Sequence, residues 1–69
     1  MNLEEAEKIV EELKQIIGER AEIKIENGDY AKIVIANITL NRDGVENLMD
    51  YIHKKNLQLN FKEDSIEII

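Results

Sequence analysis

The apolar residues of this chain keep two different periods in succession, and that succession constrains the fold more than any other feature. Leu3, Ala6, Ile9, Val10, Leu13, Ile16 and Ile17 recur at helical spacing, which at about 100° per residue gathers them on one stripe. The pattern then becomes alternation, Glu22-Ile23-Lys24-Ile25-Glu26, and after Asn27-Gly28-Asp29 a second extended run covers Tyr30 to Ala36. Val45, Leu48, Met49 and Ile52 return to helical spacing, and the remainder alternates again through Leu57, Leu59 and Phe61, then Ile66 and Ile68. A pattern of one period cannot bury its apolar side in an element of the other, so the order is helix, hairpin, helix, hairpin.

Local signals set the ends of these elements. Asn2 is a good N-cap with Glu5 at the capping-box position, and Gly18 supplies the residue after the last turn, which bounds the first helix at Leu3 to Ile17. Two caps compete for the second helix. Asn41 would set Leu40 against Val45 as a hydrophobic staple, whereas Asp43 would place Glu46 in a capping box. Lys54 and Lys55 suit the negative end of that helix, with Asn56 as its C-cap.

Registers follow from keeping charge off one sheet face. A loop of Asn27 to Asp29 pairs Ile25 with Ala31 and Ile23 with Ile33, leaving Ile35 on the same side. A loop of Lys62 to Ser65 pairs Phe61 with Ile66 and Leu59 with Ile68, all directed inward. The fold class is α+β: a two-layer sandwich in the order α-β-β-α-β-β, a mostly antiparallel sheet of four strands with both helices on one face. The second helix joins strands that run the same way, and a right-handed crossover lets the first strand sit between them. The expected strand order is 2-1-3-4, with 1-2-3-4 as its rival.

At 69 residues the chain has room for one domain, spanning residues 1–69, and no cysteine is present to add a disulfide or a thiolate metal site. No apolar stretch is long enough for a membrane span, and the first residues lack the basic start and apolar core of a secretion signal, so a cytoplasmic protein is expected. The formal net charge is −6, and half of that excess lies in the first helix, where Glu4, Glu5, Glu7, Glu11 and Glu12 face only Lys8 and Lys14. Such a chain is repelled by phosphates and anionic lipid, so direct binding to nucleic acid or membrane is not expected.

Chemistry-bearing motifs are few. Thr39, Asn41, Asp43, Gly44, Val45, Asn47 and Asp50 fall on the spacing of a calcium-binding EF-hand loop, yet Thr39 replaces the leading Asp and Asp50 the bidentate Glu. His53 has no partners of metal-ligand type and suits a helix C-terminus. Ser65, placed in a turn beside Asp64, has no base at a suitable spacing, so neither an enzyme nor a cofactor is expected.

Two surfaces remain as candidates for partners. Glu4, Glu7 and Glu11 form a ridge along the first helix, flanked by Glu5 and Glu12, which a basic partner could read. The open sheet face carries Tyr30 and Val34, with Ile69 beside them, among charged residues, and lacks the aromatic platform on which RNA-binding sheets stack bases. The leading expectation is a small acidic protein-interaction module. In its specific form it is an inhibitor or nucleic-acid mimic filling the groove of a basic nucleic-acid-binding protein through Glu4, Glu7, Glu11 and Glu12. A structural homodimer pairing sheet edges or faces, with Tyr30, Val34 and Ile69 in the seam, is the alternative, followed by a calcium- or ligand-binding domain built on residues 39–50.

Overall fold

The computed structural model describes residues 1–18 and 20–69. In chain order the elements are α1 (Leu3–Ile17), β1 (Glu22–Asn27), β2 (Ala31–Ala36), α2 (Arg42–Lys54), β3 (Leu59–Phe61) and β4 (Ser65–Ile68). At the start of α1 the Asn2 Oδ1 accepts from the Glu5 N–H at 2.8 Å, and the Asn2 Nδ2 donates to Glu5 Oε1 at 3.1 Å. Gly18 ends the helix with φ at +85°, a conformation that glycine adopts at little cost.

Asn41 is the cap that starts α2: its Oδ1 accepts from the Gly44 N–H at 2.8 Å. Glycine suits that first turn, because a Cβ at position 44 would stand 3.1 Å from Leu40 Cδ2. The other end corrects the expected C-cap by one residue. Lys55 is the cap, and Asn56 follows it in the left-handed region at φ +59°. Leu57 N–H donates to Ile52 O at 3.0 Å and Asn56 N–H to His53 O at 3.1 Å, the paired bonds of a Schellman motif. Asn56→Gly should therefore raise stability by about 0.5 kcal/mol and Asn56→Ala lower it by about 1 kcal/mol, read from thermal unfolding. Equal effects of the two changes would contradict the left-handed assignment.

The sheet order is β1-β2-β4-β3, with each neighbouring pair antiparallel. Both expected orders, 2-1-3-4 and 1-2-3-4, are corrected. β2 and β3 do run the same way, but the strand between them is β4 and not β1. Charge explains the choice: β1 places Glu22, Lys24 and Glu26 along one side, a pattern suited to a sheet edge, whereas β2 and β4 carry the most completely buried isoleucines.

The first hairpin also departs from expectation. Ile25 pairs with Ile33 and Ile23 with Ile35, a slip of two residues from the expected register, with Asn27 opposite Ala31. A slip of two returns each side chain to the same face, so the apolar pattern cannot detect it. The turn decides, since Gly28 N–H bonds Tyr30 O at 3.3 Å and the loop becomes Gly28 to Tyr30. In the second hairpin Leu59 meets Ile68 and Phe61 meets Ile66, as expected.

One core cluster collects Ala6, Ile9, Val10 and Leu13 from α1, Leu48 and Ile52 from α2, Ala31, Ile33 and Ile35 from β2, and Ile68 from β4. All four β-strand contributors share one sheet face, because odd positions of β2 lie opposite even positions of β4. The expected inward packing of Phe61 does not hold: it is 71% exposed. α1 lies against β1 and β2, and α2 lies against α1. The start of β2 is tied to the chain's first residue by a bond from Ala31 N–H to Met1 O at 2.9 Å.

Candidate interaction site

The structure separates the residues singled out in the sequence. Glu4, Glu7 and Glu11 are exposed along α1, with Glu11 3.7 Å from Lys14. Glu12 turns instead towards α2, 3.9 Å from the Lys55 Nζ, which stands 5.9 Å from the centre of the Tyr51 ring. Tyr30 is 55% exposed in the first hairpin turn, and Val34 is half-buried in β2 between Lys24 of β1 and Glu67 of β4. The acidic ridge and the pair Tyr30 and Val34 thus belong to different elements.

Around Val34 the same side of the sheet carries ion pairs. The Lys32 Nζ lies 3.0 Å from Glu67 Oε2 and 3.5 Å from Glu26 Oε1, and the Lys62 Nζ lies 3.8 Å from Glu67 Oε1. The Glu67 side chain is only 14% exposed beneath these cations. Hydrogen bonding to Glu67, then its charge, raises the Lys32 ammonium above the ordinary lysine value. A raised lysine means that this pairing is complete below the usual pKa of 10.5 and is lost as pH climbs through the higher folded value.

At the junction of α1 and α2 the Tyr51 hydroxyl is buried with no hydrogen-bond partner among the described residues. Burial first, then the Glu12 charge and an approach of the Glu12 carboxylate that falls short of hydrogen-bond geometry, push it up to about 12. Since the folded state favours the neutral phenol, stability is intact below the ordinary value of 10.0 and falls as pH rises from there towards about 12. Tyr51→Phe removes the unpaired hydroxyl, so it should stabilise the fold by about 0.5–1 kcal/mol and flatten that alkaline loss. A lower melting temperature for Tyr51→Phe at neutral pH would show that the hydroxyl is satisfied.

The EF-hand spacing is not assembled as a loop, because residues 42–50 are helical and the Asn41 side-chain Oδ1 caps that helix. Among the described residues no group of three or more His, Cys, Asp or Glu side chains is placed to hold a metal ion. Ser65 opens β4 opposite Ala36 and is not a turn residue, and His53 is exposed in the last turn of α2. A concavity of about 580 Å³ lies between the end of α1 and the segment after β2, lined by Ile17, Gly18, Arg20, Ala21, Asn37 and Thr39. Those residues supply no nucleophile with a base beside it. Among the described residues no helix is long and apolar enough to cross a membrane.

The sequence reading missed the exposure of Val45 and Met49 on α2 and of Phe61 on β3. Tyr51 and Lys55 mark the flank of α2 that meets α1. Val45 and Met49, 45% and 37% exposed, fall on the opposite flank at about 100° per residue. Phe61 belongs to the same row as Ile66 and Ile35, at the outer end of the sheet order. A shallow groove of about 280 Å³ beside Phe61 has Ile35, Ile38 and Ile66 on its wall, together with Asn37 and the polar stretch from Lys62 to Ser65.

No protein family, curated protein or solved structure matches this chain. The site is therefore described by its own geometry. Gln58 and Ile69 exchange both backbone bonds, at 3.2 and 3.0 Å, and Lys62 N–H bonds Ser65 O at 2.8 Å. Antiparallel bonding alternates along a strand, so Leu59 and Phe61 direct their backbone N–H and C=O groups away from β4, to the sheet's outer edge. A signal for this was available in the sequence: Phe61 is the last residue before the polar stretch Lys62-Glu63-Asp64, with no apolar neighbour beyond it to cover the ring.

Proposed function

We propose that this chain acts by binding another protein, not by catalysis, and that its contact surface is the β3 edge with the adjoining flank of α2. In this reading both helices lie over the Ile33 face of the sheet, α1 above β1 and β2 and α2 above the rest. The observation that carries it is Phe61, 71% exposed on the side of the sheet that elsewhere holds the core. Large apolar groups gathered beside an open strand edge are the usual mark of a protein contact, whereas apolar residues scattered singly are not. A photo-cross-linking residue at position 61 should give one dominant protein adduct in source-cell extract. The same probe at Lys24 on the opposite edge should give little. Equal or absent adducts at both positions would overturn the reading.

A second surface is favoured by its own observation. Glu4, Glu7 and Glu11 stand exposed in line on α1, and only Glu11 has a cation within ion-pair distance among the described residues. This supports the narrower reading of an inhibitor or nucleic-acid mimic for a basic protein. A complex of that kind should weaken at least tenfold between about 50 and 300 mM salt, measured by titration calorimetry against the retained partner. An affinity indifferent to salt would remove it.

A further inference from the structure

We infer that the occupant of the β3 edge is a second copy of this chain, the two β3 strands pairing antiparallel about a twofold axis at Asn60. This rests on the reading of that edge as the contact surface and adds the identity of the partner. The backbone supplies the register. With Asn60 opposite its own copy, Leu59 of each chain stands opposite Phe61 of the other, and these are the residues whose N–H and C=O groups point outward. Each such pair exchanges both of its bonds, so the twofold closes four hydrogen bonds and leaves none of the outward groups of Leu59 and Phe61 unpaired. The axis stands perpendicular to the sheet, which becomes one continuous sheet with the same faces aligned. Each Phe61 ring then covers the partner's Leu59 and approaches the flank of the partner's α2 that bears Val45 and Met49.

Charge selects the same edge. A chain of net charge −6 repels its own copy, and contact through α1 would set glutamates against glutamates. Leu59, Asn60 and Phe61 carry no charge, and the next residues out, Gln58 and Lys62, oppose each other across the axis without setting like charges together. The opposite edge, β1, has a charged residue at alternate positions, the feature by which sheet edges resist pairing. Area sets the strength. A Phe side chain offers about 200 Å², and with Val45, Met49 and the strand edge each chain has on the order of 500 Å² to bury, below the ~800 Å² per partner of a standard complex. The dimer is therefore weak and concentration-dependent, with a dissociation constant on the order of 100 μM.

Sedimentation of the purified chain between about 10 μM and 1 mM tests this. The weight-average mass should climb from monomer towards dimer, and the association should tighten at higher salt as the net repulsion is screened. Phe61→Pro removes an outward N–H that bonds nothing in the monomer, together with an already exposed ring. It should leave the circular dichroism spectrum unchanged and the chain monomeric throughout. Phe61→Lys, which keeps the backbone donor, should weaken self-association at least tenfold. A monomer at 1 mM, about ten times the expected constant, overturns the self-pairing. So does a dimer that persists in Phe61→Pro. The position-61 cross-link, run in source-cell extract and again on the purified chain at about 1 mM, then separates the two claims: an adduct with a different protein keeps the contact surface and rejects the second copy, and no adduct in either sample rejects both.

Discussion

Replacing Leu13 by alanine is expected to cost about 3 kcal/mol of stability. Leu13 is fully buried at the centre of the cluster that joins α1 to Ile33 and Ile35. Alanine is the better helix former, so the loss reports packing and the cavity left behind, not a weakened helix. For a chain of this length the whole folding free energy is roughly 3–10 kcal/mol, and the variant should be partly unfolded at 37 °C. Urea unfolding should show the midpoint falling with the slope unchanged. Leu3→Ala, on an exposed position of the same helix, should shift stability by no more than about 0.5 kcal/mol. Comparable losses at the two positions would contradict the placement of the core.

Deleting residues 65–69 should abolish folding. β4 is an interior strand, bonded on one side to β2 and on the other to β3, so its removal detaches β3 and strips Ile68 from the core. The loss exceeds about 5 kcal/mol, since two strand pairings and a fully buried isoleucine go together. In either order expected from the sequence β4 would be an edge strand, and its deletion would leave three paired strands under the helices. Far-UV circular dichroism and amide dispersion therefore distinguish the arrangements, and a cooperatively folding fragment would contradict the observed order.

Local chemistry was legible in this chain, and non-local pairing was less so. Asn2, Glu5 and Gly18 mark the ends of α1 because caps act within one turn. The second hairpin was legible because Leu59, Phe61, Ile66 and Ile68 match in only one short register. The first was not, since Ile23, Ile25, Ile33 and Ile35 repeat the same residue and a two-residue slip conserves both faces. Strand order escaped because a crossover rule limits handedness and leaves open which strand fills the gap. The charges on β1 pointed to an edge, and weighing them against the apolar β4 would have favoured the observed order. Of the candidate contact residues, Glu4, Glu7 and Glu11 are exposed as expected, whereas Glu12 faces Lys55. Phe61 was missed because alternation gives a side chain's face and not whether anything covers it.

The exposed β3 edge is the claim on which the functional reading stands, and amide hydrogen exchange at about 10 μM, well below the expected self-association, tests it residue by residue. Gln58, Asn60 and Lys62 should be protected by their bonds to β4, while Leu59 and Phe61 should exchange at nearly the rate of an open chain. Slow exchange at Leu59 and Phe61 in dilute solution would mean that another strand of the same molecule covers that edge, as β1 would in the order 2-1-3-4, and would contradict the account.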